Sequence, residues 1–350
     1  MKSNQTFSRP LLSILAIICA LSGGVFSTNQ PHPAHAQDDV GPIAYGIQWS
    51  PDGKWIAVPS SDGLWMFNAE IIERAPTQYF AGSVISAIAF DPIRDRLAVY
   101  DATVLQLYII DTATGEVIAE TDGQIDSFKA AYYMTYTDDG KFLALGFNDF
   151  VKIYDGITYA ERASHLIHDV SSVASGSEPG TFLVGSYLGD ISIVDVHDDS
   201  DEFVTFATDD LTIFETIFTM RLLPDSTEGI VLRGSGLLNF DLDDQTTRLL
   251  DPAFAEWVRG FEMNHAADTL AISQDGQMSF YDQPSATITQ QIATPNAEDQ
   301  VIFGIAFSPD DTRMVTLETT GTIYIWDVAE ARIIVTWTNN FSRAYSQNWG

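Results

Sequence analysis

Apolar and polar positions recur along this chain in one layout. Phe307 to Asp327, "FSPDDTRMVTLETTGTIYIWD", closes an apolar run with a Ser-Pro-Asp turn and passes through a second apolar run. It then crosses a polar turn and ends a third run on Trp-Asp. The same layout appears in "IQWSPDGKWIAVPSSDGLWMFN" (Ile47 to Asn68), "IAFDPIRDRLAVYDATVLQLYIID" (Ile88 to Asp111) and "MTYTDDGKFLALGFNDFVKIYD" (Met134 to Asp155). It continues in "VASGSEPGTFLVGSYLGDISIVD" (Val173 to Asp195), "MRLLPDSTEGIVLRGSGLLNFD" (Met220 to Asp241) and "FEMNHAADTLAISQDGQMSFYD" (Phe261 to Asp282). The third run closes at Asn68, Asp111, Asp155, Asp195, Asp241, Asp282 and Asp327, at intervals of 43, 44, 40, 46, 41 and 45. A fourth apolar run follows each mark, as in "EVIAET" from Glu116 and "ARIIVTWT" from Ala331.

Four short strands in every 40–45 residues are the sequence signature of a propeller blade. The expected fold is all-β, a seven-bladed β-propeller of four-stranded antiparallel blades. Innermost runs such as "VISAIAF" and "VIFGIAF" are apolar at successive positions, as strands covered on both faces must be. The "WSPDGKW" and "FSPDDTR" turns, with the strand ends "IYIWD" and "VKIYD", resemble the WD-repeat family across about Val40 to Asn339. The resemblance implies a binding propeller. It also implies a Gly-His pair ahead of each innermost strand, which nearly every copy lacks; His168 before "VSSVAS" is the one remnant. Packing between blades is therefore expected to rest on apolar side chains. The last copy owns a fourth strand, Arg332 to Thr338, so the ring is expected to close without a strand borrowed from the N-terminus.

The first residues read as an address. Lys2 and Arg9 precede an apolar run from Leu11 to Val25, and "AHA" at Ala34 to Ala36 fits a signal peptidase site. Residues 1–36 are read as a signal peptide cut after Ala36, giving a secreted chain, and Ile18 argues against lipid anchoring at Cys19. The propeller then spans 37–340 and a tail 341–350. Phe341, Tyr345 and Trp349 stand four apart, which predicts one face of a short helix packed across the last blade. No later run approaches the roughly 20 apolar residues of a membrane span, so no membrane insertion is expected.

Charge narrows the partners. After the leader, 15 Lys and Arg face 48 Asp and Glu, a net charge of −33. Such a surface repels phosphate backbones and anionic lipids, which excludes nucleic acid. Asp outnumbers Glu by 34 to 14, and most Asp sit beside Gly, Pro or another Asp between apolar runs, where Asp side chains build turns.

Chemistry is sparse. The run from Asp195 through Asp198, Asp199 and Asp201 offers clustered oxygens for calcium, but without the spacing of a dedicated loop. It is read as a solvated acidic turn, and no cofactor is expected. "HLIHD" (His165 to Asp169) has no second ligand pair with zinc-like spacing. Propeller enzymes such as sugar-acid lactonases gather charged residues around the central channel. Here Arg221, Arg259, Glu262 and His168 stand at strand ends, with nothing to fix a nucleophile. A non-catalytic scaffold for a protein or cell-surface polymer, acting as a monomer, is the expectation; a propeller hydrolase or a calcium-stabilised surface protein are the alternatives. The binding face is assigned to loop residues Phe128, Phe147, Phe150, Tyr187, Phe214, Trp257 and Arg259, because aromatic and Arg side chains dominate interface energetics.

Overall fold

A computed structural model describes residues 41–121, 131–197, 202–204, 216–255, 258–274, 276–293, 301–338, 340–341 and 343–344. Seven sheets follow one another in chain order; six hold four consecutive antiparallel strands, while in the first the innermost strand is split into Ile43–Ala44 and Gln48–Trp49 and a short parallel strand is added at its edge. Blade 2, for example, runs outward through Ile85–Phe90, Arg96–Asp101, Gln106–Asp111 and Val117–Glu120. Blade 7 runs through Ile302–Phe307, Arg313–Glu318, Ile323–Asp327 and Arg332–Trp337. The fold is an all-β, seven-bladed propeller.

The core explains why the innermost runs lack alternation. Buried apolar side chains fall into seven clusters, and each joins two neighbouring blades. Blades 2 and 3, for instance, share Tyr100, Leu107, Ile109, Leu143, Leu145 and Phe147. Each fully buried Leu, Ile, Val or Phe contributes about 1.5–3 kcal/mol of transfer free energy. The blades are thus held by apolar contact, as the missing Gly-His pairs led one to expect.

The seventh cluster closes the ring. Ala44, Ile47, Ile56, Val58 and Phe67 of blade 1 meet Val315, Leu317, Ile323 and Ile325 of blade 7. Phe67 stacks on Trp337 at 4.6 Å, and the Arg313 guanidinium lies 5.1 Å over the Trp49 ring while donating to the Ala69 carbonyl at 2.9 Å. Among the described residues no N-terminal strand enters blade 7, whose four strands are contiguous in sequence. The C-terminal segment supplies a different link. Arg343–Ala344 pairs in parallel with Ile43–Ala44, the first part of blade 1's innermost strand. Phe341 is buried in the closure cluster. The tail residues Arg343 and Ala344 therefore form a strand, not the helix expected from the spacing of Phe341, Tyr345 and Trp349, and Phe341 packs at the seam between the first and last blades. An unpaired strand edge at Ile43–Ala44 offers backbone partners that a helix could not use. Tyr345 and Trp349 lie outside the described residues.

Every one of the seven periodic marks ends the third strand of its blade. Each carboxylate or amide oxygen turns back to accept backbone N–H groups of the following hairpin. Asp111 Oδ1 accepts from Ala113 and Thr114 at 3.0 and 2.8 Å, and Asp155 Oδ1 from Ile157 and Thr158 at 3.0 and 2.8 Å. Asn68 accepts from Glu70 and Ile71, Asp195 from His197, Asp241 from Asp243 and Asp244, Asp282 from Ser285 and Asp327 from Glu330. The period near 43 is the period of a turn cap.

Candidate functional site

Two loops per blade share one face of the ring: the loop entering each innermost strand and the hairpin between second and third strands. The innermost strands line a central channel that opens onto this face. In blades 2, 4, 5, 6 and 7 the innermost strand carries a bulge at its second residue: Ser86, Ser171, Phe218, Arg259 and Phe303. A bulge re-aims the side chain it displaces. Ser86 and Ser171 donate to the Ala131 and Ile217 carbonyls of the next blade at 2.6 and 2.7 Å. Phe218, Arg259 and Phe303 instead line the channel.

The structure separates the residues assigned to the binding face. Phe147 and Phe150 are core: Phe147 is fully buried, stacked on Phe150 at 4.4 Å and edge-on to Tyr100 at 5.8 Å. The hairpin between them is so short that Phe147 N–H donates to the Phe150 carbonyl at 2.9 Å, which leaves both rings directed inward. Tyr187 is half-buried at the channel rim, with its phenol hydrogen-bonded to Tyr133. Arg259 belongs to the channel wall. Phe128, Phe214 and Trp257 lie outside the described residues, as do Asp198, Asp199 and Asp201.

Other apolar side chains stand out on the loop face. Leu166 and Leu188 are 68% and 67% exposed, Tyr132 41% and Val104 40%, all on loops of blades 2 to 4. The loops are tied together by backbone bonds: Ile167 N–H donates to Asp149 O at 3.1 Å and Tyr187 N–H to Asp169 O at 2.8 Å. These residues were legible in the sequence only as single apolar positions at turn apices ("HLIH", "YLGD"), a signal that a search for aromatics passes over.

The residues weighed for catalysis also part company. Arg221 and Glu262 meet across blades 5 and 6 as a bidentate pair, Nε to Oε1 at 3.0 Å and Nη2 to Oε2 at 2.9 Å. The carboxylate raises the guanidinium pKa above its ordinary value. Arg259 lines the same channel, but His168 sits on the outer loop face, mostly exposed, with Nδ1 3.8 Å from Asp149. His165 is buried while His168 is not, so "HLIHD" does not present its two imidazoles together. Among the described residues no three His, Cys, Asp or Glu side chains group as metal ligands. At the opposite mouth His265 Nδ1 lies 2.9 Å from Asp311, pinning the loops of blades 6 and 7.

Residues 289–327 match the family described as WD domain, G-beta repeat. The match begins in the outer strand Thr287–Ala293 of blade 6 and ends on Asp327, so the sequence repeat straddles two blades. This one repeat is thus similar to the WD-repeat family, and it sits in a seven-bladed propeller. No curated protein matches it.

Why one repeat stands out is visible in blade 7. Trp326 Nε1 donates to Thr316 Oγ1 at 2.9 Å, both fully buried. By strand register the Thr316 position is Val58, Val99, Leu145, Val184, Val231 or Ile272 elsewhere, and the Trp326 position is Phe67, Ile110, Tyr154, Val194, Phe240 or Tyr281. The other six blades replace a hydrogen-bonded pair with packing of largely apolar side chains, an exchange that avoids a buried unpaired donor.

Proposed function

We propose that this WD-repeat propeller is a secreted, monomeric, non-catalytic scaffold that binds a protein or a cell-surface polymer through the loop face of blades 2 to 4. The fold is consistent with a binding scaffold, and propellers of this family typically serve as non-catalytic platforms that mediate protein interactions. The observation that carries the reading is the exposure of Leu166 and Leu188 on neighbouring loops, flanked by Tyr132 and Val104. Large apolar groups gathered on one face of a chain with net charge −31 mark an interaction surface. Placement outside the cytoplasm rests on the leader-like pattern of residues 1–36.

The test is a paired substitution, Leu166→Asp with Leu188→Asp, compared with the unaltered chain in affinity capture from the producing cell's envelope and medium. Loss of a specifically captured component supports the reading. Identical capture by both proteins contradicts it.

A further inference from the structure

The channel itself has the chemistry of a ligand site. It encloses two adjoining cavities of about 500 and 690 Å³ that share Tyr45, Tyr133, Thr135, Thr219, Arg221 and Glu262. Cavities of roughly 300–1,000 Å³ take small organic ligands.

Its wall has two unlike halves. Blades 1 and 3 supply tyrosines: Tyr45, the exposed Tyr132, and Tyr133 edge-on to Tyr132 at 6.5 Å. The Tyr133 phenol, hydrogen-bonded to Tyr187, has its pKa driven up by burial, and the contact sets the ring's orientation before any ligand arrives. Across the channel stands the Arg221–Glu262 pair. Both Glu262 oxygens accept from Arg221, and Arg221 Nη1 donates to the Met220 carbonyl at 3.0 Å.

The pair's saturation decides the sign of the ligand. The carboxylates that line both cavities are Glu262, held in the fork, and Asp138, whose charge acts on the same Arg221 guanidinium, so each already faces a cation. An anion would have to enter a protein of net charge −31. What remains on the edge of the fork is a fixed donor beside a fixed acceptor, the pattern that a vicinal diol satisfies because each hydroxyl both gives and takes. Tyrosine faces offer the apolar body that the C–H face of a pyranose covers.

We infer that the channel binds a neutral saccharide, with Tyr132 and Tyr45 stacking on sugar rings and the Arg221–Glu262 edge, Thr135 and Thr219 bonding their hydroxyls. The site shares Tyr132 with the edge of the loop face but includes neither Leu166 nor Leu188, so either reading stands if the other fails.

Titration calorimetry of the full chain with cellohexaose, maltohexaose, mannohexaose and chitohexaose tests it, with hexagalacturonate and hexa-arginine as charged probes. At least one neutral hexasaccharide should bind, and Tyr132→Ala should weaken it by about tenfold or more. Arg221→Met combined with Glu262→Met should do the same. Leu166→Asp should leave the titration unchanged, which separates this site from the loop face. Tyr132 is exposed, so its replacement keeps the fold, and an unchanged melting curve verifies that. The inference is overturned if no neutral probe binds at about 10 mM, if only a charged probe binds, or if neutral binding survives both channel variants.

Discussion

Phe341 packs edge-on against Trp65, ring centroids 5.7 Å apart, at the seam where the last blade returns to the first. Its approach requires Gly321, whose φ is +79° and whose missing Cβ would fall 2.7 Å from Phe341 Cβ. Phe341→Ala should therefore cost about 3–5 kcal/mol, the range for buried aromatic truncations. A drop in the urea midpoint with an unchanged slope would check it.

Acid should loosen the turns. Backbone donation from Thr114 holds the Asp111 carboxyl below its ordinary 3.8, and hydrogen bonds from Ser285 and Ser308 do so for Asp282 and Asp310. At Asp155 partial burial pushes upward, but donors from Thr158 and Arg162 outweigh it. A native pKa below the unfolded value stabilises the fold above the unfolded pKa, and that stability is lost as pH falls toward the native value. The denaturation midpoint is expected to be level above the ordinary carboxylate range and to fall steadily below pH 3.8. Asp155→Asn, which keeps an acceptor oxygen, should flatten that fall.

In blade 7, Thr316→Val leaves the Trp326 indole N–H buried without its partner, at about 1–3 kcal/mol. Trp326→Phe removes the orphaned donor. The double variant should thus lose less than the sum of the two singles, a coupling readable from a double-mutant cycle by chemical denaturation.

Ser308 closes the Ser-Pro-Asp turn from both sides: its hydroxyl donates to Asp310 at 2.7 Å and accepts from Arg313 N–H at 2.9 Å. Ser308→Ala should cost about 1–2 kcal/mol, measured in the same way. Ser50 and Thr137 make the same pair of bonds in blades 1 and 3 and should respond alike.

Blade number, strand order and the seven marks were all legible in the sequence, because each is a local pattern: a turn cap answers to donors two or three residues away. The loop face was not. Alternation states that Phe147 and Phe150 flank a turn, but only the tight hairpin and the neighbouring Tyr100 decide that both rings go inward. Leu166 and Leu188 look no different from core leucines until the loops around them are built. The closing contact was hidden for another reason. Arg343–Ala344 finds its partner 300 residues away at Ile43–Ala44, and no local spacing encodes a pairing at that separation.

The most direct measurement is partner capture by the unaltered chain beside the Leu166→Asp, Leu188→Asp pair, with melting curves confirming that both proteins are folded. A binding scaffold working through this face retains a specific envelope or secreted component in the first case and releases it in the second. Equal retention by both folded proteins would contradict the assignment of the loop face.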